Sequence, residues 1–306
     1  MKRLAALALL LCLVFCGCAA EPVAQSNKLQ IVCATYPAYD FAREIAGNRA
    51  EISLLIKPGA EVHSYEPTPK DVVRIQESDL FICNGGESEE WLEELLQEGM
   101  NVVYMLDCVE AVAEEEKEGM YVRGEEEGEE EELDEHVWTS PVNAALISSE
   151  ICSRLCEIDA DSAAYYTANN DAYEAQLMEL DAELHRVIDK APHKTLVFAD
   201  RFPMRYFTKE YGLDYFAAFP GCSSETEPSA KTVAFLIDRV REEQLPAVLY
   251  MEFSNEKMAD VICEDTGCKK LPFYSAHNIT AQQFEEGISY LDLMRINLET
   301  LKEALY

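Results

Sequence analysis

The sequence predicts an α/β protein of two lobes, each a small parallel β-sheet flanked by helices, joined by one long rigid α-helix. Two observations carry that prediction. Short apolar runs alternate with amphipathic segments along both halves of the 306-residue chain, the pattern of parallel strands covered on both faces by helices. Between the halves, residues 159–191 contain neither Gly nor Pro and carry apolar side chains at helical spacing. The length suffices for two lobes with separate cores.

At the N-terminus, Met1, Lys2 and Arg3 precede an apolar stretch over residues 4–15. A basic start followed by a run too short to cross a bilayer is an export signal. Phe15, Cys16, Gly17 and Cys18 then form a lipobox. Residues 1–17 are expected to be the signal peptide and Cys18 the lipidated residue, with Cys16 the alternative. Residues 18–28 would form a polar tether, holding the body at an extracytoplasmic membrane surface. The formal charge of −33 excludes nucleic acid as a partner and makes cations the class to expect. Export permits disulfides. However, the body has no C-x-x-C, and Cys33, Cys83 and Cys263 sit in apolar runs, so mostly free, buried thiols are expected.

The first lobe, residues 29–156, opens with a strand over 29–34 and a helix to residue 46. A strand over 52–56, a helix over 70–78 and a strand over 80–83 follow. Asn84, Gly85 and Gly86 end that strand. Trp91, Leu92, Leu95 and Leu96 predict a helix over 89–98, and 102–105 is the next strand. Residues 113–134 break the pattern. Glu125–Glu127 and Glu129–Glu132 flank Gly128, a tract expected to stay disordered without cations. A helix over 141–156 completes the lobe. Residues 157–192 form the connecting helix, with Tyr165, Ala168, Ala172, Ala175, Met178 and Ala182 along one stripe and Leu177, Leu180, Leu184, Val187 and Ile188 beside it. The second lobe, 193–306, repeats the alternation, with strands near 195–199, 215–219, 247–253 and 270–274 and a final helix over 289–305.

The chemistry begins at His63. Pro67 and Pro69 stiffen its loop, and Pro69 opens the next helix. From Gly59 to Asp71 the chain reads G-x-x-x-H-S-Y-E-P-T-P-x-D, which resembles the first ligand loop of the zinc- and manganese-uptake solute-binding lipoproteins of bacterial ABC importers. Asp134, His136, Trp138 and Pro141 resemble the second ligand motif of that family, D-x-H-x-W-x-x-P. The resemblance implies the metal-type periplasmic-binding-protein fold, a divalent metal bound between the lobes, and an ABC permease with its ATPase as partners. It implies His63 and His136 as ligands, with Trp138 packed beside the site and Gly85 and Gly86 close to it. A His- and acid-rich loop in the family stands where this chain has its glutamate tract.

The later ligands match less evenly. Counting back from Tyr206 puts the third position on Arg201, which cannot bind a metal. Counting forward from the strand puts it on Ala199. Asp200 lies between and is the candidate. At the fourth position His277 stands where the family usually has an acid. Cys222 and Glu225, in another strand-end loop, are possible additions to the shell. Three histidines and one carboxylate suit Zn²⁺; more oxygen donors would favour Mn²⁺. Closure of the cleft would signal the loaded state to the permease. Two other readings stay open: an extracellular zinc hydrolase, with Glu252 or Asp200 as base although H-E-x-x-H is absent, and a surface adhesin with a structural metal.

Overall fold

The computed structural model describes residues 28–92, 94–121, 132–221 and 228–306. The leader with Cys18, most of the glutamate tract, and Cys222 and Glu225 lie outside these residues.

Two parallel four-stranded sheets organise the chain. In the first half, β1 (Leu29–Cys33), β2 (Ala50–Leu54), β3 (Leu80–Cys83) and β4 (Val102–Tyr104) lie in the order β2-β1-β3-β4. In the second, β5 (Thr195–Phe202), β6 (Asp214–Pro220), β7 (Ala247–Met251) and β8 (Lys269–Phe273) lie in the order β6-β5-β7-β8. Helices cover both faces, which is why every residue of β3 is buried. Each sheet reverses its strand order beside its first strand, between β1 and β3 and between β5 and β7. Ligands of open parallel sheets bind outside the carboxyl ends of strands at such switch points.

Helix boundaries follow local chemistry. Pro37 sits in the first turn of α1 (Tyr36–Ala46). A Thr68–Asp71 capping box and Pro69 start α2 (Pro69–Gln76). The Ser140 side chain accepts from the Asn143 amide at the head of α3 (Pro141–Ile158). The long helix, α4 (Ala163–Ile188), has 26 residues and so runs roughly 39 Å at 1.5 Å per residue. It packs against α1 and α3 on one side, and against α5 (Arg205–Tyr211) and α9 (Tyr290–Ala304) on the other. Its buried face is Tyr166, Asn170, Tyr173, Leu177, Leu180, Leu184 and Ile188. The expected stripe through Ala168, Ala172, Ala175 and Ala182 is exposed; these alanines favour the helix by conformation rather than by burial. The second half is completed by α6 (Ala230–Glu242), α7 (Lys257–Thr266) and α8 (Ala281–Glu286).

Three further expectations are corrected. The main core is continuous, running from Ile31 and Phe41 through Trp138 and Leu177 to Phe198, Phe273 and Tyr290. Smaller clusters lie on the outer faces, around Phe81 and Leu92 and around Leu236 and Ile262. Opening the two halves widely would expose that shared core, so large hinge closure is disfavoured. The helix expected over 89–98 is not formed; a kinked 3₁₀ segment, Glu87–Leu92, stands there. Its Glu89 carboxylate is buried and accepts from the Asn84 and Gly85 amides, both at 2.8 Å. Finally, residues 113–121 are docked rather than disordered. Ala113 bridges Leu133, the Tyr121 amide donates to Ala218 O at 2.8 Å, Glu115 pairs with Arg205 at 3.2 Å and accepts from Tyr215 Oη, and Lys117 pairs with Asp214. Specific partners offset the charge that composition alone counted as disordering. The seven described cysteines are free, with Cys33, Cys83 and Cys152 buried. No helix among the described residues is long and apolar enough to cross a membrane.

Candidate metal centre

Three histidines converge from three loops. His63 lies in the β2–α2 connection, whose backbone is tied across to the second half: Asn278 Nδ2 donates to Lys57 O at 3.1 Å and to Ala60 O at 2.8 Å. His136 precedes a 3₁₀ turn, Val137–Thr139. Asp134 Oδ1 accepts from its backbone amide at 2.9 Å and lies 3.2 Å from its ring Nδ1. A proton on Nδ1 facing that carboxylate leaves the Nε2 lone pair available to a metal. His277 follows β8 and comes after Ala276, which is fully buried and held at φ +60°. A left-handed alanine is strained, and the site's surroundings must hold it there.

The three rings form a nearly equilateral triangle, with centroids 5.6 Å (His63–His136), 5.1 Å (His63–His277) and 5.3 Å (His136–His277) apart. One nitrogen from each lies within 4.8 Å of the other two. His63 Nδ1 is buried without a hydrogen-bond partner. Such an orphan acceptor is costly unless a ligand engages the ring. The rings line a cavity of about 200 Å³ shared with Gly59, Arg201 and Glu252.

The surroundings are built to hold this geometry. Trp138 is fully buried, its ring 4.7 Å from His277 and 5.7 Å from His136, and its Nε1 donates to Ser275 O at 2.8 Å. Glu252 braces the same loop, accepting from Ser275 N at 2.8 Å and from Ser275 Oγ at 2.5 Å. On the other side, Gly86 (φ +97°) admits the Glu135 carboxylate, whose Oε1 would lie 2.5 Å from a Cβ. Asn84 Nδ2 donates to Glu135 O at 2.9 Å. The Gly85–Gly86 strand end therefore anchors the segment that carries His136.

Electrostatics differ around the triangle. Burial, with His136 and Arg201 adding to it, lowers the His63 pKa to about 3. Burial, His63, His136 and Arg201 lower that of His277 well below its ordinary value. Burial also opposes protonation of His136, but the Asp134 carboxylate, followed by Glu135 and Glu114, outweighs it and raises the pKa. Burial raises the Glu252 pKa as well.

Asp200 is placed elsewhere. The β5–β6 register shifts between Phe198 and Arg201, and the extra residue of that bulge changes which face the side chains take. Asp200 accepts from the Arg201 amide at 2.8 Å and the Met251 amide at 3.4 Å, and lines a separate cavity with Ala199, Phe219 and Val233. Arg201 lines both that cavity and the histidine cavity, its Nη1 3.9 Å from Glu61 Oε1. Among the described residues no carboxylate joins the three histidines. Cys222 and Glu225 lie outside the described residues. Gly221 is on the cavity wall, where a Cβ would sit 2.9 Å from Phe202 O and 3.3 Å from His136 Cε1. A second group, Asp181, His185 and Glu210, lies at the surface, where Tyr211 Oη donates to Asp181 at 2.9 Å. Sequence reasoning passed over the supporting roles of Asp134, Ser275 and Asn278. Only Asp134 carried a signal, as the acid two residues before His136.

Comparison with known proteins agrees with this architecture. Residues 31–304 match the family described as ZnuA, zinc-uptake complex component A, periplasmic. The high-affinity zinc uptake system protein ZnuA of Bacillus subtilis is 31% identical over 288 residues, 92% of this chain and 89% of that one. The zinc-binding lipoprotein AdcA of Streptococcus pneumoniae is 30% identical over 99% of this chain, which spans only 61% of AdcA. The crystal structure of the Zn(II)-bound ZnuA-like domain of that AdcA matches with a TM-score of 0.75 at 28% identity, over 91% of this chain and 99% of the domain. With the match running through both sheets and all three histidine loops, the chain belongs to the ZnuA family of periplasmic zinc-uptake components.

Proposed function

We propose that this chain is the extracytoplasmic solute-binding component of a metal ABC importer, and that His63, His136 and His277 hold its cargo, Zn²⁺. The observation that supports it most is the convergence of three imidazoles from three separate loops on one cavity between the sheets. Nitrogen-only donors suit zinc, whereas manganese favours oxygen, and the relatives are named for zinc. The role is capture and delivery to a permease and its ATPase, with no bond made or broken. Cys18 would carry the lipid that keeps the protein at the membrane. The charge of −33 would raise the local concentration of cations. Because the core is continuous, loading would be read through the ordering of the three loops rather than through a wide hinge motion.

Titration of the leader-free protein with zinc, against a competing chelator, tests the reading. One tight site per chain is expected, lost in a variant with all three histidines replaced by alanine. Tight binding that survived the triple replacement would contradict it.

Acidity should weaken binding in a particular way. Zinc takes neutral imidazole, so protons compete with it. His63 and His277 have lowered pKa values and stay neutral through mild acidity, while the raised pKa of His136 makes it the group that takes a proton first. Affinity is therefore full above the His136 pKa and falls as pH drops through it. Below the raised His136 pKa, log Kd should rise by about one for each unit the pH falls, one proton displaced per ion. A slope near three would mean that the rings titrate together.

Asp134→Asn should weaken zinc about 10- to 100-fold, as losses of carboxylate partners of metal-binding histidines do, with little change in melting temperature. The Asp134 backbone contacts, N to Val112 O and O from Tyr206 Oη, do not need the carboxylate. Unchanged affinity would show that His136 is oriented by the fold alone.

A further inference from the structure

Three imidazoles are neutral ligands, and zinc takes four donors in a closed site. The described residues supply no fourth. Asp200 is turned into another cavity and Glu252 is engaged by Ser275. Besides Glu61 and Glu252, the cavity is lined by a cation, Arg201. Its charge acts on both His63 and His277, and it keeps Glu61 at 3.9 Å on the rim. A guanidinium facing a doubly charged ion across a cavity of about 200 Å³ is repulsive unless negative charge lies between them. The space is ample for a few heavy atoms, and the planar fork of arginine matches a planar oxyanion.

We propose that a small planar oxyanion of the carboxylate–bicarbonate class completes the zinc site, shared between the ion and the Arg201 guanidinium. Zinc and anion then bind with positive linkage: each tightens the other by the same factor. The inference rests on the zinc reading above and adds a second ligand to it. It also assigns a role to the arginine that stands where the family resemblance, counted back from Tyr206, puts the third ligand position.

The test is zinc affinity of the leader-free protein by chelator competition, at constant ionic strength and pH, in chloride, acetate or bicarbonate. Affinity is expected to rise about tenfold from chloride to tens of millimolar of one of the oxyanions. Separate acetate and bicarbonate series identify which member of the class serves. Cobalt replacing zinc gives a second readout, since its visible bands should change with the anion. Arg201→Met should still bind zinc but lose the anion dependence. Arg201→His, which installs a donor, should bind more tightly than the parent in chloride and ignore the anion. Equal affinity in all three salts would overturn the proposal, as would full anion dependence in Arg201→Met. So would an anion-independent parent whose zinc binding falls in Glu61→Gln, Cys222→Ser or Glu225→Gln, because the fourth donor would then be a side chain. Absence of zinc binding in every salt would overturn the zinc reading itself, an outcome distinct from the others.

Discussion

Replacing His277 by alanine is expected to weaken zinc binding by at least about a hundredfold while leaving the protein folded. In the proposed site His277 is the nitrogen donor from the second half of the chain, and without it two imidazoles from the first half face the cavity. Loss of a single supporting partner of a ligand already costs about 10- to 100-fold, so loss of the ligand itself should cost more. The fold should tolerate the change. The bend at Ala276 is set by backbone and by the Ser275–Glu252 and Trp138–Ser275 contacts, not by the imidazole. Burial also holds the His277 ring in an environment that stabilises no charge on it. Chelator competition measures the affinity and circular dichroism the fold. His185→Ala is the control, since His185 lies on the surface far along α4 and should leave the tight site unchanged. Equal zinc affinity with and without His277 would remove the second half from the site.

Trp138→Ala is expected to destabilise the metal-free protein by about 3–5 kcal/mol, the range for removing a buried large aromatic side chain. Trp138 is fully buried in the continuous core and its Nε1 donates to Ser275 O. The variant would open a large cavity and leave a buried carbonyl without its donor. Because the same ring packs on His136 and His277, zinc affinity should fall as well. The bond from Tyr290 Oη to the Trp138 carbonyl is backbone-directed and survives. Denaturant unfolding with and without zinc separates the two effects. Trp91→Ala, in the small outer cluster and only partly buried, should cost much less. A loss under about 1 kcal/mol for Trp138 would mean that the loops are held together by other contacts.

Much of this molecule is legible in its residues. Short apolar runs between amphipathic segments locate the eight strands of the described residues to within a few residues, because central strands covered on both faces, such as β3, are apolar throughout. His63 and His136 stand out through the two family motifs they resemble, and His277 because the resemblance puts it where the family usually has an acid. What was not legible depends on three-dimensional partners. The bulge in β5 that carries Asp200 away and brings Arg201 to the cavity leaves only a one-residue ambiguity in counting. The docking of 113–121 rests on Arg205, Asp214 and Tyr215, far away in sequence. The exposed alanines of α4 show periodicity without burial, since alanine is at home on any helix face. Sharing of one core by both halves depends on α1, α3, α5 and α9 all meeting α4, which a linear pattern does not encode.

The most direct measurement is crystallographic: anomalous scattering at the zinc edge from crystals grown with one equivalent of zinc. One strong peak is expected among the imidazoles of His63, His136 and His277. A peak at Asp181, His185 and Glu210 instead, or none in the cavity between the sheets, would contradict the proposed site.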